Sequence, residues 1–212
     1  MSQPCNRGCE VTQPGALDRS LGEFWVNSPW RIVTDNHNLS AFERNRAFLN
    51  VKGQDFLDIS HLTGADSDGD GRAVVAADLR NVGMLDLIVR QAGGGPLMVY
   101  ENRLPRRGYL EVTLRGHQSN RQGIGARLTA VVKGQQLVRE LFPANGYLSQ
   151  SPSVAHFGLA DADSVDSLTI RWPSGKVQTL TNLKGNRHIV VDESREGSDA
   201  VETIRPGQPI AP

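Results

Sequence analysis

Residues 109–116, YLEVTLRG, alternate without a fault: Leu110, Val112 and Leu114 fall on one face, Glu111, Thr113 and Arg115 on the other. A period of two is the signature of a strand with one buried side, and a one-residue slip would turn every apolar group to water. The same constraint recurs downstream. ARLTAVVKGQQLVREL (126–141) reads as two strands around a KGQ turn. DSLTIRWPSGKVQTL (166–180) reads as a second hairpin, with Leu168, Ile170 and Trp172 pointing inward, a PSGK turn, and Val177 and Leu180 on the return. Trp172 is therefore expected to be buried. The one helix candidate is short and weakly amphipathic, Leu39–Arg46. The expected fold class is mostly β.

Composition agrees with a turn-rich sheet protein. Of 212 residues 22 are glycine, above the ~7% norm, and hydrophobic residues make up 38%. The chain carries 23 basic and 23 acidic residues, so its formal net charge is zero and no basic patch invites nucleic acid. No apolar run approaches the ~18 residues of a membrane span. The start, MSQPCNRGCE, shows no apolar core of a signal peptide. Cys5 and Cys9 lie in this polar stretch with no histidine nearby, so a local disulfide or no defined role are the readings open to them.

Polar, proline-bearing stretches suggest a flexible lead over 1–20 and a loose tail over 193–212. Between them, 21–103 and 104–192 read as two regions. Within the first, AFLNVKGQDFLDIS (47–60) shares a plan with VYENRLPRRGYLEVT (99–113): a strand ending in Asn, a Gly-containing turn, and a new strand opening on an aromatic. Repeated sheet units are the building blocks of propellers.

The candidate metal chemistry lies in DSDGDGR (66–72). Asp66, Asp68 and Asp70 occupy alternate positions before Gly71, as calcium loops begin. An EF-hand would need a carboxylate at the twelfth position, which is Ala77, and a shorter D-x-D-x-D-G-x-x-D loop would need one at Val74. Three carboxylates with carbonyls and water make a weak calcium site; the plain alternative is a solvated turn. A second frame follows in DLRNVGMLDLIV (78–89). Asp78, Gly83 and Asp86 hold positions one, six and nine, but Arg80 and Val82 replace the inner acids. A guanidinium between Asp78 and Asp86 would take the place of the ion; the plain alternative is an ordinary turn with a surface salt bridge, and in either case this loop is expected to be empty. GIGAR (123–127) lacks the third glycine and the following helix of a dinucleotide site, and its glycines read as a turn. Ser149, Ser151, Ser153, His156, Asp161 and Asp163 cluster in sequence without a G-x-S-x-G elbow, so a structural role is expected for His156.

Four motifs in order, SNRQGIGAR (119–127), GYLSQS (146–151), HFGL (156–159) and RWPSGK (171–176), resemble the ASPIC/UnbV domain, known from many secreted proteins. GDGRAVVAADLRNVGMLDLIV (69–89) and ERNRAFLNVKGQDFLDIS (43–60) are similar to FG-GAP/VCBS propeller repeats. The resemblance implies a partial propeller-like blade ahead of a small β-domain, an extracellular or periplasmic setting, and a binding role. It transfers no catalytic residue. Two functions follow as expectations: a non-catalytic extracellular interaction module for a protein or glycan, weakly calcium-binding, and alternatively a secreted or biosynthetic-pathway enzyme of the UnbV kind. A lone blade cannot close a ring, so its strands are expected to join the ASPIC-like region in one sandwich, the favoured outcome, or to pair with a second copy, or to take a strand from a partner; in the first case loops 66–72, 90–96 and 143–151 form the contact surface, with Tyr147 and His156 supplying aromatic contacts.

Overall fold

A computed structural model describes residues 44–204, except 52, 68, 70, 92–95 and 145. The described residues divide into two compact units, one from 44–74 together with 88–100, the other from 75–87 together with 101–204. The structure is mostly β.

In the first unit β1 (Phe48–Val51) and β2 (Asp55–Asp58) form an antiparallel hairpin. Asn50 ends β1 because its side chain serves the turn: Gly53, at φ +74°, donates its N–H to Asn50 Oδ1 at 2.7 Å. A single helical turn, α1 (Ser60–Thr63), follows. Next come β3 (Gly71–Ala77), β4 (Asp86–Gln91) and β5 (Met98–Tyr100), sheet neighbours in that order. The two copies of the repeated plan thus diverge. The first is a hairpin, whereas β5 and β6, the strands of the second, enter different sheets. The expected helix over Leu39–Arg46 lies mainly outside the described residues, and 44–46 belong to no helix.

The second unit is a β-sandwich. One sheet runs β11-β10-β7-β8, from β7 (Arg127–Val132), β8 (Gln135–Glu140), β10 (Ser164–Arg171) and β11 (Val177–Lys184). The other runs β13-β12-β6-β9, from β6 (Gly108–Arg115), β9 (Val154–Ala160), β12 (Arg187–Asp192) and β13 (Val201–Ile204). All neighbours are antiparallel except β6 and β12, which run parallel. The alternation in β6 does what its period requires: Leu110, Val112 and Leu114 are sealed in the core with Leu128 and Ala130 of β7, Phe157 of β9, Leu168 and Ile170 of β10, and Ile189 and Val191 of β12. Trp172 is buried, and its indole N–H donates to Gln178 Oε1 at 3.0 Å, which lets a polar ring end sit inside. Gly123 and Gly125 adopt positive φ in the turn that leads into β7.

Among the described residues β1–β5 pair in sheets of their own, and the eight strands of the sandwich begin at Gly108. The loose tail expected from 193 is not what 193–204 form. A 3-10 turn, Gly197–Ala200, brings β13 against β12, burying Ala200 and packing Val201 on the core. An edge strand as apolar as β12 needs such a cover.

Candidate functional site

Strands β9, β6 and β12 are consecutive in their sheet, and their register sets His156 opposite Glu111 and Glu111 opposite His188. Because Leu110, Ala155, Phe157 and Ile189 face the core, these three side chains share one row on the outer face. Tyr109 lies on the same strand, and its ring stands parallel to that of His156, 6.2 Å between centroids.

Residues 76–85, of the same unit, lie over this row. His156 Nε2 donates to the carbonyl of Gly83 at 3.0 Å. Gly83 is at φ +77° and so close to Tyr109 that a Cβ there would fall 2.0 Å from Cδ1 of the ring. The Gly83 N–H turns back to Asp78 Oδ2, closing the loop on itself. The other oxygen, Asp78 Oδ1, is buried without a hydrogen-bond partner among the described residues. His188 is committed to its sheet neighbours: its Nε2 is 2.8 Å from Thr113 Oγ1 and its Nδ1 is 3.6 Å from Glu111 Oε2.

These placements set the electrostatics. Burial, reinforced by the charge of Asp78, pushes the Glu111 carboxyl up to about 7. Burial pushes His188 below the usual imidazole value, with Asp78 opposing it. Burial, then Glu111 and Asp78, raises Tyr109. Near neutral pH, then, Glu111 is poised between its acid and its anion beside a neutral imidazole. A cleft of about 380 Å³ opens on this group, lined by Asp78, Glu111, His156 and His188 and flanked by Arg139 and Phe142. This volume lies in the range of small-ligand sites.

The residues singled out in the sequence fall as follows. Asp68 and Asp70 lie outside the described residues. Asp66 is described, and its Oδ2 is held by Arg44 Nη1 at 3.0 Å and His61 Nδ1 at 2.9 Å. In the second loop Arg80 does not bridge Asp78 and Asp86. It binds Asp86 Oδ1 at 3.0 Å, Glu101 Oε1 at 2.6 Å and the carbonyl of Asn102 at 3.1 Å. Asp86, nearly sealed from solvent, also accepts the Asn102 N–H at 2.8 Å. Arg80 and Asp86 thus tie the 78–86 loop to 101–102, while Asp78 turns toward the cleft. Tyr147 is exposed, but His156 is on a strand and half-buried. Cys5 and Cys9 lie outside the described residues. Among the described residues no three His, Cys, Asp or Glu side chains converge in a way that could hold a metal ion.

Residues 116–198 match the ASPIC and UnbV family. Cartilage acidic protein 1 of Xenopus tropicalis is 32% identical over 182 residues, spanning 82% of this chain and 27% of the relative. The same protein of Homo sapiens is 26% identical over 181 residues, 82% of this chain and 26% of the relative. The chain therefore spans about a quarter of the length of the curated relatives it matches. The ASPIC/UnbV match takes in β7 to β12, and with them His156 and His188. Asp78, Tyr109 and Glu111 precede it, so the cleft joins ASPIC/UnbV residues to residues outside the matched stretch.

Proposed function

We propose that this chain is a non-catalytic interaction module working outside the cell, which holds a protein or glycan partner at the cleft over the His156–Glu111–His188 row. The observation that carries this reading is a ligand-sized cleft whose floor is polar and whose surroundings are apolar. Phe142 at its edge is 52% exposed, and Tyr147 and Leu148, five and six residues further along the same connection, are 82% and 68% exposed. An exposed aromatic group bordering a polar cleft, as Phe142 does here, marks a contact site, and Tyr147 and Leu148 offer further exposed apolar surface in the same connection. Similarity to a protein named for cartilage, a tissue built mainly of extracellular matrix, supports the location. The test is binding of the whole chain to arrays of extracellular proteins and of glycans. Phe142→Ser with Tyr147→Ser should weaken retention on the best ligand by about tenfold or more, the loss of one or two buried aromatic anchors. Undiminished binding by that double variant would place the contact elsewhere and defeat the reading.

We further infer that the strands ahead of 104 derive from an FG-GAP/VCBS-type repeat and that Asp66, Asp68 and Asp70 form a weak calcium loop. Support comes from the alternate aspartates before Gly71 and from the degenerate second frame at Asp78, Gly83 and Asp86. An ion would have to displace Arg44 and His61 from Asp66, which argues for low affinity. Mass action then predicts a melting temperature only about 1–3 °C higher in millimolar calcium, reversed by chelator. Asp68→Ala should abolish the rise. A wild-type chain with no rise has no calcium loop.

A further inference from the structure

We propose that the cleft is a receptor for an organic cation, an ammonium or guanidinium group such as the tip of a lysine or arginine side chain on a partner protein. The proposal deepens the interaction reading and rests on it. Its first ground is Asp78. One carboxylate oxygen is held by the Gly83 N–H, while the other is buried and has no donor among the described residues. A buried acceptor of this kind costs free energy until a donor reaches it.

The second ground is what the other lining groups leave available. Nε2 of His156 is engaged by the Gly83 carbonyl and Nε2 of His188 by Thr113 Oγ1, while Nδ1 of His188 stands 3.6 Å from Glu111 Oε2. Arg139, the arginine of the lining, is partly engaged: Nε donates to the His156 carbonyl at 2.8 Å, Nη1 to the Val138 carbonyl at 2.8 Å, and the guanidinium lies 5.5 Å from the centre of the Phe157 ring. Glu140 is paired with Arg127 at 3.1 Å. Of the lining groups, Asp78 and Glu111 present carboxylate oxygens, which call for N–H donors bearing positive charge. A transition metal would favour imidazole nitrogens, and both Nε2 atoms here are already bonded.

Size and shape supply the third ground. About 380 Å³ is far more than the ~30 Å³ share of one water or ion. It suits the end of a side chain, with Phe142 placed to cover an aliphatic stem. Glu111 gives the site a chemical signature. The titratable groups facing it are Asp78 from the loop, Tyr109 on its own strand, His156 on β9 and His188 on β12. An entering cation favours the Glu111 anion, so binding near pH 7 releases a proton to the buffer.

The experiment is a titration of the full chain, followed by nitrogen-15 NMR of the imidazoles, with Nα-acetyl-lysine amide, Nα-acetyl-arginine amide, uncharged Nα-acetyl-norleucine amide and calcium chloride. Saturable shifts of His156 and His188 are expected with one or both cations and not with norleucine; the stronger of the two names the partner side chain. Asp78→Asn, which keeps an oxygen for the Gly83 N–H, should weaken binding about tenfold or more with the amide spectrum otherwise preserved. Calorimetry in buffers of different ionisation heat should show proton release that vanishes in Glu111→Gln. Equal shifts with norleucine, no shifts with either cation, or full affinity in Asp78→Asn overturn the proposal. So does calcium producing the same saturable shifts in place of the cations, since the carboxylates would then be a metal site. If array ligands bind and Asp78→Asn leaves them unaffected, the interaction reading survives and the cation receptor does not. If the lysine probe binds and the arrays retain nothing, the reverse holds.

Discussion

Glu193→Ala should destabilise the sandwich by about 3 kcal/mol or more, lowering its melting temperature by about 10–20 °C. Glu193 is 2% exposed and takes five hydrogen bonds. The backbone N–H groups of His117, Gln118 and Ser119 point at Oε2 from 2.6, 2.9 and 2.9 Å. The hydroxyls of Ser119 and Ser174 reach Oε1 from 2.7 and 2.6 Å. Lys176 Nζ caps the Glu193 carbonyl at 2.6 Å. One carboxylate thus gathers the loop after β6, the turn between β10 and β11, and the end of β12. Alanine leaves three backbone donors and two hydroxyls without an acceptor at about 1–3 kcal/mol for each that water cannot reach. Glu193→Gln keeps one oxygen and should lose roughly half as much. Thermal unfolding of the two variants checks this, and a loss below about 1 kcal/mol for alanine would mean that water replaces the carboxylate.

The same residue fixes an acid limit. Burial alone would raise the Glu193 carboxyl, but the bonds from Ser174, Ser119 and His117 outweigh it and hold it at about 2, against an ordinary 4.5. Asp192, whose burial is likewise outweighed by Ser194 and His117, also sits at about 2, against 3.8. Both carboxyls bind protons more tightly unfolded than folded. Their contribution is complete above about pH 4.5 and is lost as pH falls through about 2. Glu111 has the opposite sign: raised to about 7 from 4.5, it holds its proton more tightly when folded. Its contribution is present below about 4.5 and declines as pH rises through about 7. Stability of the second unit should therefore peak on the acid side of neutrality, and Glu111→Gln should remove the decline toward pH 7 while leaving the acid limit in place.

The sheets were legible because their signal is local. Leu110, Val112 and Leu114 announce a one-sided strand by spacing alone, and KGQ and PSGK mark their turns within a few residues. Glu193 was not legible for the opposite reason. Its partners stand 74 to 76 positions upstream and 19 positions upstream, and by itself it reads as the first residue of a polar tail. Ser119, Ser174 and Lys176 belonged to conspicuous motifs, but the acceptor that explains all three lay outside them. The cleft was hidden in a similar way. Glu111 sits at a regular outward position of β6, and nothing in its neighbours says that this face is covered. His188 meets it only through the parallel pairing of β6 with β12, which no turn connects. Arg80 illustrates a third limit. Its role as the counter-charge to a buried carboxylate was readable, but Glu101 and Asn102, which draw it to Asp86 and leave Asp78 facing the cleft, come from a segment whose return to this loop is set by the sheet.

Gly83→Ala should cost about 2–5 kcal/mol, far more than Gly134→Ala. The two glycines share φ +77°, so both substitutions bear the same left-handed strain. They differ in what a methyl group would meet. At Gly134, in the β7–β8 turn, nothing lies within 4 Å, and the cost should stay near 1 kcal/mol. At Gly83 three ring atoms of Tyr109 lie 2.0 to 2.3 Å from the new carbon, and no rotation of an aromatic packed on His156 relieves all of them. The loop has to lift, and with it go the His156–Gly83 bond and the cover over Glu111. Two readouts follow beyond melting temperature. The Glu111 carboxyl, followed by carbon-13 NMR, should fall from about 7 toward its ordinary value as water and counter-ions reach it. Tyr109→Ala should restore much of the loss in the Gly83→Ala background, a coupling that independent sites do not show. Equal costs at Gly83 and Gly134, with no coupling to Tyr109, would mean that residues 78–85 are not seated on the outer face of β6, and the cleft would lose its roof.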